Sequence, residues 1–294
     1  MNAYIFPGQG SQFPGMGKDL YESNKNARHL FQKANKIVNF DICKLMFEGT
    51  ENDLKQTNVT QPAIFIHSTI LANCLDSFKP EMVAGHSLGE FSALVAARSI
   101  SFEDGLNLVM LRANAMQIAC QQEDSTMAAI IGLESETIHE VCHDQSGVVV
   151  IANYNSPSQI VISGETKAVE SSCEKLTKLG AKRAIILSVG GAFHSPIMNS
   201  AKDSLQSAIN NTCFEKPICP IYQNVCARAT SDKKDLKMNL IEQLTKPVKW
   251  YQTIENMISD GASQFYEVGP GNVLLGLNRR INRAIPSLKV TINN

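Results

Sequence analysis

Between residues 126 and 189 the hydrophobic pattern changes period in a fixed order. TMAAIIG reads as a buried strand, SETIHEVCHDQ repeats at helical spacing, GVVVIAN and SQIVISG are two further strand-like runs, TKAVESSCEKLTKLG is helical again, and AKRAIILSV closes as a strand. This β-α-β-β-α-β order belongs to the ferredoxin-like arrangement, a two-layer unit of about 60 residues that can close its own sheet. A unit that complete is expected as an insert, spanning 123–192. Residues 1–122 and 193–294 then form one interrupted core.

The flanking segments alternate strand and helix. AYIF is a short buried strand broken by Pro7-Gly8-Gln9-Gly10, and residues 19–38 and 61–78 carry apolar residues at helical spacing, the second opening at Gln61-Pro62. MVAG is a strand and EFSALVAARS a helix that packs back on the sheet. Ser101 and Asp104 form a capping box for a helix running to about 121, which carries Arg112. Beyond the insert come a helix over 196–210, the strand PIYQNV, a helix over 236–260, the strand QFYEV, and a Gly-Pro-Gly turn into a last helix. Strands that alternate with helices predict an α/β fold with a parallel sheet covered on both faces.

Composition excludes several classes. A chain of 294 residues buries roughly three quarters of its surface on folding, enough for a real core. With 27 Lys+Arg against 28 Asp+Glu, the net charge is -1, and no basic run supplies the phosphate neutralisation that nucleic acid requires. The start, MNAYIFPGQG, lacks a charged segment followed by a long apolar one, and no apolar stretch of about 18 residues occurs, so no membrane span is expected. The eight cysteines contain no C-x-x-C pair and read as reduced structural thiols. A cytoplasmic protein is the expectation.

Gly85-His86-Ser87-Leu88-Gly89 fits G-x-S-x-G between a strand and a helix. Glycines allow a tight corner there, which leaves the serine hydroxyl exposed beside the free amides of a helix start. A serine needs a base to take its proton. His86 is adjacent at a tight turn, where neighbouring side chains point apart, while His29 and His67 sit in helix-like stretches. His194 follows the last strand of the insert, in VGGAFHSPIM, where Gly190-Gly191 permits a turn and Ser195-Pro196 starts a helix. A competing pattern is His139-Glu140-Val141-Cys142-His143, the H-E-x-x-H of zinc hydrolases, although no third ligand is evident downstream.

FPGQGSQFPGMG, TQPAIF, GHSLGE, GAFHSPIM, QLTKPVKW and EVGPGNVLLGL occur together and in order. Over residues 3–281 the chain resembles malonyl-CoA:acyl carrier protein transacylases. The resemblance implies an α/β-hydrolase-like core with a ferredoxin-like insert, and an acyltransferase that moves malonyl from malonyl-CoA to the phosphopantetheine thiol of acyl carrier protein, in fatty-acid or polyketide synthesis. It implies Ser87 as the acyl acceptor, His194 as its base and Gln243 as the residue that orients the imidazole. The backbone amides of Gln9 and Leu88 would form the oxyanion hole, each worth about 3 kcal/mol in the transition state.

Arg112 would hold the malonyl carboxylate through two parallel hydrogen bonds, and a donor lacking that carboxylate would leave a buried charge unpaired. Phe193 would crowd an α-methyl group. Asn153 and Asn155 match a loop that lines the cleft in relatives, though an Asx turn explains them as well. The resemblance implies no metal and no cofactor, and a monomer is expected. Lys182, Arg183, Lys246 and Lys249 are candidate cations for an acidic carrier. His67 and the H-E-x-x-H segment depart from the family pattern. A serine thioesterase or esterase on the same core is the main alternative, and a zinc hydrolase using HEVCH the lesser one.

Overall fold

The computed structural model describes residues 1–292 of the chain. Its larger sheet contains β1 (Asn2–Phe6), β2 (Met82–Gly85), β7 (Ile221–Tyr222), β8 (Ala229–Thr230), β9 (Gln264–Glu267) and β10 (Ser287–Lys289). The strand order is β10-β9-β1-β2-β7-β8, parallel throughout except for the last pair. The central strands MVAG and AYIF are buried on both faces, as helix-covered parallel strands must be. The helix Gly89–Ala96 packs against both, and the helix Thr57–Cys74, almost wholly buried, packs in turn against it and against the helix Phe102–Gln122, inside the core.

β3 (Ser125–Ile131), β4 (Val149–Ser156), β5 (Gln159–Glu165) and β6 (Arg183–Ile186) form a second sheet, antiparallel, in the order β4-β5-β3-β6. Its helices Ser135–His143 and Thr166–Lys178 cover one face. Strand alternation splits the two faces: Ala128, Ile130, Ile160 and Ile162 pack with Ile138, Val169 and Leu176. Met127, Ala129 and Val161 point the other way and join the main core. The β-α-β-β-α-β reading is therefore met by a ferredoxin-like sheet with one face turned towards the larger one. The main-chain pairs Val248 N–Ala152 O, 2.8 Å, and Tyr154 N–Val248 O, 2.9 Å, stitch the sheet to the segment after residue 242.

Several boundaries differ from expectation. The 19–38 segment is two helices, Lys18–Ser23 and Lys25–Val38, because Asn24 is extended and its side chain caps the second through the Ala27 amide. Two short helices not expected from the sequence, Ile42–Glu48 and Glu51–Lys55, follow, and the helix expected from residue 61 starts at Thr57, so Pro62 lies inside it, where it removes only the bond to a carbonyl of the first turn. At Ser101 only half the capping box forms: the hydroxyl accepts from the Asp104 amide and donates to the Asp104 carboxylate. The 236–260 helix is broken into Lys233–Glu242 and Trp250–Ser259, with Pro247 in the gap. PIYQNV contributes just two strand residues, because Gln223 and Asn224 turn inwards to buried polar partners, and β10 was not foreseen.

Candidate active site

A cleft of about 410 Å³ opens between the two sheets, with Gln9, Ser87, Leu88, Arg112 and His194 on one side and Met127, Ala129, Asn155, Val161 and Val189 on the other. Ser87 stands on the corner between β2 and the helix Gly89–Ala96. That corner demands glycine on both sides. A Cβ on Gly85 would lie 1.9 Å from the Gly89 carbonyl carbon, and one on Gly89 would lie 2.0 Å from the Phe6 oxygen. Ser87 itself has φ 51°, left-handed, a conformation that costs a non-glycine residue about 1–3 kcal/mol. Its amide donates to Asn224 Oδ1 at 2.7 Å, and its carbonyl accepts from Gln243 Nε2 at 3.1 Å. Buried side chains thus hold the strained peptide from both ends.

His194 reaches the same point from the loop after β6, also left-handed at φ 57°. Its Nε2 lies 2.8 Å from Ser87 Oγ, and its Nδ1 lies 2.7 Å from the main-chain oxygen of Gln243. A carbonyl only accepts, so Nδ1 carries the proton and Nε2 turns its lone pair to the serine hydroxyl. Pro247 explains why that carbonyl is available. In a continuing helix the amide of residue 247 would bond to it, and proline has none. Burial, and then the Arg112 charge beside it, push His194 down to about 3, so the imidazole is neutral at neutral pH.

Arg112 is buried, with 1% of its surface exposed, in the middle of the helix Phe102–Gln122. Its NH1 donates to Gln61 Oε1 at 2.6 Å, and its NH2 donates to Gln243 Oε1 at 3.2 Å and to Ser87 Oγ at 3.1 Å. Desolvation pulls it down to about 10, against the pull of the Glu90 charge, so it keeps its proton at neutral pH. Gln243 therefore works twice: its backbone orients His194, and its side chain ties Arg112 to the Ser87 peptide. Gln9 and Leu88 both line the cleft, and among the described residues neither amide donates to a protein acceptor. Phe193 lines it too, its carbonyl fixed to β5 by Ser163 Oγ at 2.7 Å.

His86 turns away from Ser87, with Nε2 2.9 Å from Asn155 Oδ1 and its ring 5.5 Å from that of Trp250. Asn153 and Asn155 line the cleft from β4, which favours the cleft over an Asx turn. None of Lys182, Arg183, Lys246 and Lys249 lines it; the lysine that does is Lys55. Lys182 and Arg183 sit at the opposite end of β6 from Leu187–Val189, which do line the cleft. His67 is buried elsewhere, and burial plus Lys289 push it down to about 3.

His139 and His143 lie on an exposed helix face with ring centroids 6.5 Å apart. Among the described residues no three His, Cys, Asp or Glu side chains gather to hold a metal ion. The sequence reading missed Gln61, Glu90 and Asn224 as parts of the site. Their one signal was a polar residue within or beside an apolar run, which names no partner.

Together these groups can accept an acyl group on a serine oxygen and hand it on, which puts the molecule in the class of serine-dependent α/β acyl-transfer folds. The chain belongs to the acyl transferase domain family, which matches residues 3–287. A malonyl CoA-acyl carrier protein transacylase of Bacillus subtilis (strain 168) is 40% identical over 297 residues, covering 98% of this chain and 93% of that protein. The solved malonyl CoA-acyl carrier protein transacylase of Coxiella burnetii superposes with a TM-score of 0.96 at 36% identity, covering 99% of this chain and 94% of that one. A malonyl-transacylase solved in complex with a type II polyketide acyl-carrier protein matches with a TM-score of 0.95 at 36% identity, over 98% of this chain and 95% of that one.

Proposed function

We propose that this protein moves a malonyl group from malonyl-CoA to the phosphopantetheine thiol of an acyl carrier protein, through a malonyl ester on Ser87. The observation that carries the proposal is the double contact of Ser87 Oγ, 2.8 Å from His194 Nε2 and 3.1 Å from Arg112 NH2. His194 takes the hydroxyl proton as Oγ attacks the thioester carbonyl. The oxyanion faces the Gln9 and Leu88 amides, as a preorganised donor pair requires. The intermediate collapses with loss of the C–S bond, and the imidazolium returns its proton to the CoA sulfur. The carrier thiol then gives its proton to His194 and attacks the ester, and Ser87 leaves and regains its hydrogen. Each proton and each bond is accounted for by these groups, so no metal or redox cofactor is invoked.

Gln61 takes one hydrogen of NH1, and Gln243 and Ser87 Oγ take the two of NH2, so a malonyl carboxylate would accept the free NH1 hydrogen with one oxygen and, with the other, the NH2 hydrogen that Ser87 gives up as it is acylated. The core, 1–122 and 193–294, would carry the reacting groups, and the insert, 123–192, the opposite wall. The setting would be the cytoplasm, which keeps the eight free thiols reduced, and the working unit a monomer, since one chain lines the whole cleft. Among the described residues no helix is long and apolar enough to cross a membrane.

The test follows CoA release with and without the holo carrier. A single equivalent of CoA without carrier, and sustained release with malonyl appearing on the carrier, is the expected result. Sustained release of free malonate without carrier would make the protein a thioesterase instead.

A further inference from the structure

Glu90 is a carboxylate with no exposed surface, one residue into the helix behind Ser87. A buried carboxylate is costly unless donors converge on it. Here its Oε2 accepts from the Asn224 amide at 2.8 Å and its Oε1 from Gln223 Nε2 at 3.1 Å. Gln223 is fixed in turn, donating to the Leu236 carbonyl at 3.0 Å and accepting from Asn239 Nδ2 at 2.9 Å. Asn224, also fully buried, spans the corner: Nδ2 donates to the Gly85 carbonyl at 2.6 Å while Oδ1 accepts from the Ser87 amide at 2.7 Å. Gly85 offers only an oxygen and Ser87 only an N–H, so the carboxamide has one orientation.

We propose that Glu90 and Asn224 are positioning residues for acyl transfer: the Glu90 carboxylate locks Asn224, and Asn224 clamps the strand-to-helix corner so that Ser87 stays left-handed between His194 and Arg112. This rests on Ser87 being the acyl acceptor. The clamp depends on ionisation, because both partners of Glu90 are donors. A protonated carboxyl would turn one oxygen into a donor facing a donor. Arg112, on the helix Phe102–Gln122, is the charged group that faces Glu90; Gln223, Asn224 and Gln243 face it with neutral amides. Burial pushes Glu90 up to about 7, against the pull of those hydrogen bonds and of Arg112. His194, held near 3, stays neutral through that range. An acid-side loss of acylation that Glu90 causes disappears in Glu90→Gln, whereas one that the base causes stays.

The experiment measures the single-turnover rate of Ser87 malonylation by quenched flow and mass spectrometry between about pH 5 and about pH 9. Wild type, Glu90→Gln, Asn224→Ala and the double variant are compared, each checked for a native melt. The wild-type rate should fall with an inflection near 7. Glu90→Gln should be about tenfold slower or more, the effect of one lost charge-assisted hydrogen bond, and flat across the range. Asn224→Ala should be slowed to a similar extent and the double variant no further, with the malonyl-to-acetyl preference unchanged throughout. A wild-type profile flat through 7, which needs no variant to fold, would overturn the proposal. So would an inflection that survives in Glu90→Gln, or a Glu90→Gln rate equal to wild type. Wild-type Ser87 that carries no malonyl at any pH would overturn the acyl-acceptor reading itself, and the clamp with it.

Discussion

The two walls of the cleft are built on opposite principles. On the core side, Ser87, His194, Arg112, Gln61, Gln243 and Asn224 are joined by short hydrogen bonds among buried groups. The insert side presents Met127, Ala129, Val161, Leu187 and Val189, with Asn153 and Asn155 as its polar additions. A fixed polar network in a dry site stabilises developing charge without reorganising, whereas an apolar wall can only shape and desolvate. Changes on the first wall should therefore alter rate and cargo choice. Changes facing the second should alter which acyl groups fit.

The sharpest break of that contrast is Arg112→Ala. It removes the cation proposed to pair with the malonyl carboxylate, so malonyl transfer should fall by about 10²-fold while acetyl transfer holds or rises, read from CoA release with both donors. An unchanged preference would take Arg112 out of cargo recognition. Phe193→Ala, at the seam between the walls, should raise the rate with α-methylated malonyl relative to malonyl by about tenfold, which competition between the two donors measures. Pro247→Ala restores an amide that competes for the Gln243 carbonyl; acylation should slow about threefold with little change in the melt.

The smallest effect on activity, none, is expected for His67→Leu, away from the cleft. Its use is to sharpen the role of buried imidazoles. His67 and His194 have folded values near 3 against 6.5 as the ordinary value, so the unfolded chain binds more protons between those limits. Stability from both is present above 6.5 and drains away as pH falls towards 3. Glu90 runs the other way: raised to about 7 from 4.5, it favours the fold below 4.5 and loses that contribution as pH rises through 7. Denaturant melts across pH should show His67→Leu less acid-sensitive than wild type, with acylation unaffected.

Much of this site could be read from the chain, and the part that could not has a common cause. Ser87 was legible because two glycines mark a switch from strand to helix, and His194 because a Gly-Gly loop follows a strand. The roles of Arg112 and Gln243 came from resemblance to a known family. What spacing cannot carry is a contact between distant residues. Asn224 meets Ser87 across 137 positions and Gln243 meets Arg112 across 131, and nothing local announces either pair. The long helix over 236–260 was misread although Pro247 stood in plain view, and the break it makes frees the carbonyl that holds His194. β10 and the two-residue β8 are too short to leave a periodic trace.

In the proposed reaction the cargo rides on the oxygen that sits between the imidazole and the guanidinium. Peptide mapping of the protein quenched within seconds of mixing with malonyl-CoA tests it most directly. The account predicts a malonyl ester on the peptide that contains Ser87, absent in Ser87→Ala. Full transfer to the carrier with Ser87 unmodified, or with malonyl on another side chain, would contradict it.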